Sequence, residues 1–160
     1  MSVLLFLEDD LSLNNPHEFT EIDQRDFIDF VTDNRIDIVA NRLQIDLAAL
    51  KRVALDYADV EELMEEYEYT SAEAHALVAE RQGRNDLMWQ HPAQLISTLS
   101  QLITALEHRP DPFPDLLLDG PDAYYLTDGY FQQDLADLLR MAEWAQAHGV
   151  TRVRLRSLHC

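Results

Sequence analysis

The 160-residue chain has little that would fix its compartment or chemistry in advance. Its single cysteine, Cys160, excludes an intramolecular disulfide, and a domain of this length can bury roughly 70% of its unfolded surface without one. Nothing calls for an oxidising compartment, so we expect a cytoplasmic protein. No apolar run approaches the ~20 residues that span a bilayer. Residues 1–7 lack the basic segment of a signal peptide and lead directly into acidic residues.

Motifs for catalysis and metal binding are also missing. The four glycines are too scattered to form a phosphate-binding loop, and no nucleophile elbow is present. The six histidines lie singly, without HExxH or CxxC spacing, so we expect no metal and no cofactor. An enzyme is therefore less expected than a binding protein, although carboxylates from distant segments can still form a site.

The chain has few positively charged residues for its number of acids. Thirty acidic residues face 12 lysines and arginines, giving a net charge of −18. Residues 1–80 hold 20 acidic and 5 basic residues, an excess of 15, whereas residues 81–160 hold 10 and 7, an excess of 3. Such a one-sided field repels nucleic acid and anionic lipid and attracts a basic partner. The alternative is an acidic surface that serves only solubility.

The hydrophobic pattern predicts one domain over residues 1–160. Because 47% of the residues are hydrophobic, a folded core is expected despite the charge. We predict an α+β fold that is predominantly helical, with five to seven helices and a small two- or three-stranded sheet involving both termini.

Both termini carry strand patterns. Residues 3–7 form a short apolar run, and near the other end Val153 and Leu155 alternate with arginines. We expect these two strands to pair. The arginines Arg152, Arg154 and Arg156 either bind the protein's own acids, protect an exposed sheet edge or grip an anion.

The segments between the strands are predicted to be mainly helical. Apolar spacing and capping signals place helices over residues 21–31, 36–45, 47–54, 59–67, 70–81, 92–106 and 130–148. Residues 36–45 also fit a strand. Thr20 is the expected N-cap of the first helix, and Gly83 is expected to end the fifth. Four prolines in residues 109–122 predict an irregular connection, with a short strand over residues 116–118.

An acidic segment at the N-terminus suggests one specific alternative. Residues 3–10 resemble the first strand and acidic metal pocket of response-regulator receiver domains, and the segment ending at Asp119 is similar to the strand of the phospho-acceptor. The order does not follow that family, because Asp119 lies more than a hundred residues after Asp10 and Asp128 replaces the family's lysine. The remaining alternative is a small divalent-cation-dependent enzyme or ligand-binding domain using Asp9, Asp10 and Asp119.

The strongest functional signal is the acidic segment 56–69, which has seven acids and no base. A helix there would turn Val60, Leu63, Met64 and Tyr67 inward and leave glutamates together on the other face. Like charges at three- and four-residue spacing destabilise a helix, and a cationic partner would relieve that cost. The candidate partner-binding residues are Asp59, Glu61, Glu62, Glu65, Glu66, Glu68 and Tyr69.

These observations predict a cytoplasmic, acidic protein-binding module that neutralises a basic protein partner. The most concrete version is an immunity or antitoxin protein that inhibits a toxin, such as a nuclease with a positive substrate cleft. Acidic immunity proteins of nuclease bacteriocins are similar in charge and in pairing tyrosine with acids, although no motif is shared along the chain. The competing interpretation is a solvated charged face without a partner.

Overall fold

The structure, a computed structural model, describes residues 2–108 and 121–159. These residues form seven α-helices, one 3-10 helix (Ala48–Lys51) and three strands. The strands are β1 (Val3–Asp9), β2 (Val53–Ala54) and β3 (Val153–His159); the α-helices are α1 (Arg25–Thr32), α2 (Ile36–Leu43), α3 (Val60–Glu66), α4 (Ser71–Asp86), α5 (Pro92–Glu107), α6 (Pro121–Thr127) and α7 (Tyr130–Ala147). The predicted helical α+β fold is confirmed.

The sheet joins segments from both ends of the chain. Its strand order is β1-β3-β2, with β1 antiparallel and β2 parallel to β3. The β1–β3 register runs from Val3 opposite His159 to Asp9 opposite Val153, which confirms the predicted pairing of the terminal strands. Because β3 has a neighbour on each side, the prediction that its arginines protect an exposed edge is wrong.

The two faces of the sheet differ in composition. On the inner face, Val3, Leu5 and Leu7 of β1 lie beside Leu155 and Ser157 of β3, and all five are buried. This face packs on a helical layer dominated by the α5–α7 pair. The fully or almost fully buried side chains of that layer are Leu95, Leu99 and Leu102 of α5, and Leu135, Leu138, Met141 and Ala142 of α7. The core therefore lies between the sheet and two long amphipathic helices.

Arg154 holds the outer face of the sheet together. Its side chain is only 9% exposed. Arg154 Nε donates to Glu8 Oε2 at 2.8 Å, and Nη1 donates to the Asn85 carbonyl oxygen at 2.9 Å. The guanidinium also lies 4.5 Å from the ring centre of Trp89 and 3.6 Å from Asp86. Of the three predicted roles for the arginines, pairing with the protein's own acids is confirmed.

The first helix begins later than predicted. It starts at Arg25 with Gln24 as N-cap, whereas Thr20 was expected to cap it. The backbone N–H of Thr20 instead donates to Asp137 Oδ2 at 2.8 Å, so this residue is bound to α7. Ile22 lies before the helix and is 79% exposed.

Residues 47–54 were predicted to be a helix and are not. The chain makes one 3-10 turn and then extends so that Val53 pairs with Leu155. A two-residue strand has too little pattern to distinguish it from a helical stretch, and its pairing with β3 overrides the local preference. The predicted helix over residues 36–45, in contrast, is confirmed as α2.

The remaining differences concern helix ends and the proline-rich connection. Gly83 does not end α4, which continues to Asp86, because glycine within an exposed helix is only a modest cost. Residues 121–127 form α6, a helix that was not predicted, and its first two residues lie in the connection predicted to be irregular. The predicted strand over residues 116–118 lies outside the described residues. Gly149 does adopt the left-handed conformation expected after α7, with φ of 78°. No helix in the described ranges is long and apolar enough to cross a membrane.

Replacing Arg154 with alanine tests the anchor on the outer face. We expect Arg154→Ala to lower the free energy of unfolding by about 2–3 kcal/mol, because it removes the hydrogen bonds that Glu8 and the Asn85 carbonyl oxygen accept from the buried guanidinium. Arg152→Ala is the matched control, since that side chain is 62% exposed and its loss should cost less than about 1 kcal/mol. Urea unfolding of both variants measures the difference; equal losses would contradict the anchoring role.

Candidate functional site

The acidic helix α3 begins as its sequence predicts. Asp59 is its N-cap, and Asp59 Oδ1 accepts the backbone N–H of Glu62 at 2.8 Å. Carboxylates in the first turn, such as those of Glu61 and Glu62, are favourable next to the positive end of the helix dipole. Glu65 and Glu66 lie in the last turn, where the same dipole opposes them. The last turn of this helix therefore carries two negative charges that its own dipole disfavours.

The glutamates of this segment face solvent. Glu61, Glu62, Glu65, Glu66 and Glu68 are all exposed. Among the residues that the structure describes, none of the five forms an ion pair. Repulsion between neighbouring carboxylates is therefore not relieved within the described part of the chain.

The predicted inward stripe of α3 is wrong for two of its four members, and a third, Val60, is half-buried. Only Leu63 is buried, whereas Met64 and Tyr67 are 41% and 60% exposed. The helix has seven residues and packs mainly on α4, so it has room for one buried side chain and ends before Tyr67. Tyr69, the tyrosine in the predicted binding set, is also exposed.

We define the α3 surface as the seven predicted residues together with the two exposed apolar neighbours. Its members are Asp59, Glu61, Glu62, Met64, Glu65, Glu66, Tyr67, Glu68 and Tyr69. It combines unpaired carboxylates with large apolar side chains, and this combination suits binding of arginine- and lysine-rich surfaces.

The turn after α3 holds a glutamate in an unfavourable conformation. Glu68 has φ of 59°, in the left-handed region where glycine is the usual residue. The N–H of Tyr69 donates to the Leu63 carbonyl oxygen at 3.2 Å and closes the turn. Because the helix ends at Glu66, Glu65 and Glu68 do not form the like-charged pair that a longer helix would give them.

A cleft of about 160 Å³ lies beside the α3 surface and is lined by two arginines. It is lined in part by Asp56, Asp59, Arg81 and Arg156. The Arg81 guanidinium lies 4.7 Å from the ring centre of Tyr57, and Arg156 lies 3.8 Å from Glu8. These two arginines therefore contact groups outside α3 and form no ion pair with its glutamates.

The carboxylates of the divalent-cation alternative already bind the protein itself. Asp9 Oδ1 accepts the backbone N–H groups of Leu11 and Leu13 at 2.9 and 3.0 Å. Asp10 Oδ2 accepts the Thr151 hydroxyl at 2.9 Å, and this bond holds the pKa of Asp10 below its usual value. Asp119 lies outside the described residues. Within the described ranges, no three His, Cys, Asp or Glu residues are placed to hold a metal ion.

A buried pair of acids on α7 was not predicted. The hydroxyl of Tyr125 donates to Asp134 Oδ2 at 2.6 Å, while Asp134 Oδ1 has no hydrogen-bond partner. Burial raises the pKa of Asp134 to about 6, and the nearby charge of Asp137 adds to the rise, against the bond from Tyr125. The sequence contained a signal for this pair. Asp134 lies four residues before Leu138 and Asp137 lies four residues before Met141, so helical spacing places both acids on the apolar side of the predicted helix.

This buried pair is not an accessible reactive site. Asp134 is 4% exposed and Asp137 is 0% exposed, so neither presents its carboxyl group to a substrate. Asp137 instead accepts the hydroxyl and N–H of Thr20 and contacts Arg140. The pair therefore connects α7 to the segment before α1, and the α3 surface remains the main candidate site.

Comparison with known proteins does not identify a relative. No protein-family model, curated protein sequence or solved structure matches the chain.

Changing Asp134 to asparagine should alter how stability depends on pH. The folded-state pKa is raised above the ordinary 3.8, so protonated Asp134 favours folding at low pH and that contribution is lost as pH rises through about 6. Between pH 4 and pH 7, we expect the wild type to lose about 2–3 kcal/mol relative to Asp134→Asn. Urea unfolding at each pH measures this, with exposed Asp128→Asn as control. A pH-independent difference would contradict the raised pKa.

Glycine at position 68 should stabilise the turn after α3. A left-handed conformation costs a non-glycine residue about 1–2 kcal/mol, partly offset by the greater freedom of glycine in the unfolded chain. We expect Glu68→Gly to raise the free energy of unfolding by about 0.5–1 kcal/mol. Glu68→Ala removes the same charge without relieving φ and serves as the control; an equal gain in both variants would show that charge, not backbone conformation, is responsible.

Proposed function

We propose that this chain is an acidic protein-binding module that neutralises a basic protein partner through the α3 surface. Its most concrete form is an immunity or antitoxin-type inhibitor of a toxin, acting in the cytoplasm. The observation that carries the proposal is the row of exposed glutamates on α3, none of which forms an ion pair within the described residues.

Repulsion between the glutamates of α3 favours binding of a cationic partner. Three like-charged pairs remain at helical spacing in α3: Glu61 with Glu65, Glu62 with Glu66, and Glu62 with Glu65. At about 0.2–0.5 kcal/mol each, they cost roughly 1 kcal/mol in total. Lysine at any of these positions would reduce the cost. A partner that places cations over the row relieves the repulsion and gains direct ion pairs at the same time.

Apolar side chains within the row add a source of affinity that charge alone lacks. Met64 and Tyr67 project into solvent beside the glutamates, and Tyr69 lies just beyond them. Tyrosine is enriched at the energetic centres of protein interfaces and packs well against arginine, and methionine adapts to irregular surfaces. A solubilising face gains nothing from such side chains, whereas an interface does.

The charge distribution of the whole chain supports the same partner. The excess of acids is 15 in residues 1–80 and 3 in residues 81–160, and α3 lies in the more acidic half. A field of this kind accelerates the approach of a basic protein, most strongly at low ionic strength. A nuclease fits the requirement because its cleft must be positive to hold nucleic acid, and an acidic row can occupy that cleft in place of phosphates.

Reversing two charges on the α3 surface tests the proposal. We expect Glu62→Lys with Glu66→Lys to leave the free protein at least as stable as the wild type. The contact of residue 62 with Glu65 becomes attractive, while the contact between residues 62 and 66 stays like-charged. The helix dipole disfavours the new cation at residue 62 and favours the one at residue 66, so these two effects offset each other. Association with a basic partner, isolated from the native host at low ionic strength and then purified, should slow by about tenfold or more. Biolayer interferometry at low and high salt measures the rate, and the difference between the proteins should shrink as salt rises.

A second double variant separates the α3 surface from net charge. Glu107→Lys with Glu143→Lys changes two exposed acids elsewhere and has the same net charge, because two substitutions of +2 each move −18 to −14. It should retain nearly the wild-type association rate. Equal slowing in both double variants, or no salt-sensitive basic partner, would contradict the proposal and favour a solvated face without a partner.

A further inference from the structure

The outer edge of β1 is open over a short stretch. The backbone hydrogen-bonding groups of this strand point alternately to its two sides. Asp10 N–H donates to the Arg152 carbonyl oxygen at 3.1 Å, so the backbone N–H and C=O groups of even-numbered residues face β3. The backbone groups of odd-numbered residues face away from β3, as the hydrogen bond from Gln24 N–H to the Val3 carbonyl oxygen at 2.8 Å demonstrates. Leu5 and Leu7 therefore direct their backbone groups to the edge of the sheet.

Both ends of this edge are closed by the protein itself. At one end, Val3 N–H donates to Asp23 Oδ1 at 3.2 Å. At the other, the Asp9 carbonyl oxygen accepts the N–H of Ser12 at 3.3 Å. Between them, the outward N–H and C=O groups of Leu5 and Leu7 have no protein partner among the described residues. Since such groups need hydrogen bonds, they bind either water or another strand.

A groove of about 370 Å³ runs beside this edge and is largely apolar. Its walls include Leu4 and Phe6, which are 39% and 37% exposed, and Ile22, which is 79% exposed. Natural sheet edges usually carry a lysine, a proline or a bulge that prevents pairing with other chains. Residues 4–7 have none of these devices, so the edge remains competent to pair.

The groove also favours an occupant rich in positive charge and hydrogen-bond donors. Glu18 and Glu21 line it, and no lysine or arginine does. Gln24, also in its wall, is 2% exposed, and its Oε1 is buried without a donor. An unpaired buried acceptor and two carboxylates are complementary to a cationic peptide.

We propose that this groove binds an extended lysine- or arginine-containing segment of the basic partner, which adds to β1 as a fourth strand. The added backbone forms up to four hydrogen bonds with Leu5 and Leu7, and alternate side chains lie against Phe6 or reach Glu18 and Glu21. The expected charge of the segment rests on the proposed function. A second copy of this chain fits poorly, because each copy carries −18 and would bring its own acids to the groove.

The test uses an eight-residue peptide of alternating lysine and valine, blocked at both ends, and its glutamate–valine counterpart. Amide hydrogen exchange of the full chain is followed residue by residue by NMR. With the lysine peptide, exchange of the Leu5 and Leu7 amides should slow by about tenfold or more. The Leu4 and Phe6 amides, which already face β3, should change little. The glutamate peptide should protect none of them.

Two matched sets of variants show whether backbone pairing and groove charge are responsible. N-methylation of the peptide nitrogens that face β1 should abolish the protection, whereas N-methylation of the alternate nitrogens should preserve it. Glu18→Lys with Glu21→Lys should weaken binding of the lysine peptide by about tenfold. Glu107→Lys with Glu143→Lys, which has the same net charge, should bind it like the wild type.

Several outcomes would overturn the proposal that the groove binds a cationic segment. These are no slowing at Leu5 and Leu7, equal slowing with the glutamate peptide, or slowing that depends on protein concentration without peptide, which would identify a second copy as the occupant. Protection that survives Glu62→Lys with Glu66→Lys supports the groove even where the α3 surface fails its own test. Partner binding that depends on α3, without protection at β1, overturns the groove and leaves the proposed function standing.

Discussion

The pairing of β1 with β3 is the interaction on which the rest of the structure depends. Its inner face, with Leu5, Leu7 and Leu155, closes the core over α5 and α7. Its outer face carries the Arg154–Glu8 ion pair and, through Arg154, holds the end of α4. On its other side, β3 pairs with β2 and with Gln90. The N–H and C=O groups of Gln90 both form hydrogen bonds with Val153. One central strand therefore organises both layers.

This arrangement also explains why the acids of α3 form no ion pair within the described residues. The ion pairs formed within the described residues use acids elsewhere: Glu8 and Asp86 near the sheet, Asp37 on α2 and Asp137 on α7. Since the chain has only 12 lysines and arginines, pairing some of them at structural positions leaves few for a distant helix. Stability of the fold and negative charge on the α3 surface therefore have a common origin in how scarce cations are distributed.

Sequence patterns predicted the parts of the fold in which local and tertiary preferences agree. The helices predicted to begin at residues 59 and 70 are capped by Asp59 and Thr70, and the two terminal strands pair as expected. The misses have a shared cause. β2 exists only because β3 offers it an edge, and α3 buries only Leu63 because α4 covers one side of so short a helix. Neither partner is visible in the local spacing of apolar residues.

The candidate site was predictable in its residues but not in its full character. The acid content singled out the segment. Helical spacing, however, placed Met64 and Tyr67 in the core, whereas both are exposed. Their exposure is the observation that favours an interface over a solvated charged face. The open edge of β1 depends on strand order and on hydrogen-bond alternation across a pairing between distant segments, so no inspection of residues 3–9 alone would reveal it.

The distance in sequence between β1 and β3 has a consequence for how the protein folds. Their pairing joins residues separated by roughly 150 positions, so closing the sheet requires a large loss of chain entropy before it gains any contact. During synthesis, α4 and α5 emerge and can form well before β3 is available. Until then, the apolar side chains of β1 have no neighbouring strand, and this interval is when the nascent chain is most exposed to misassociation.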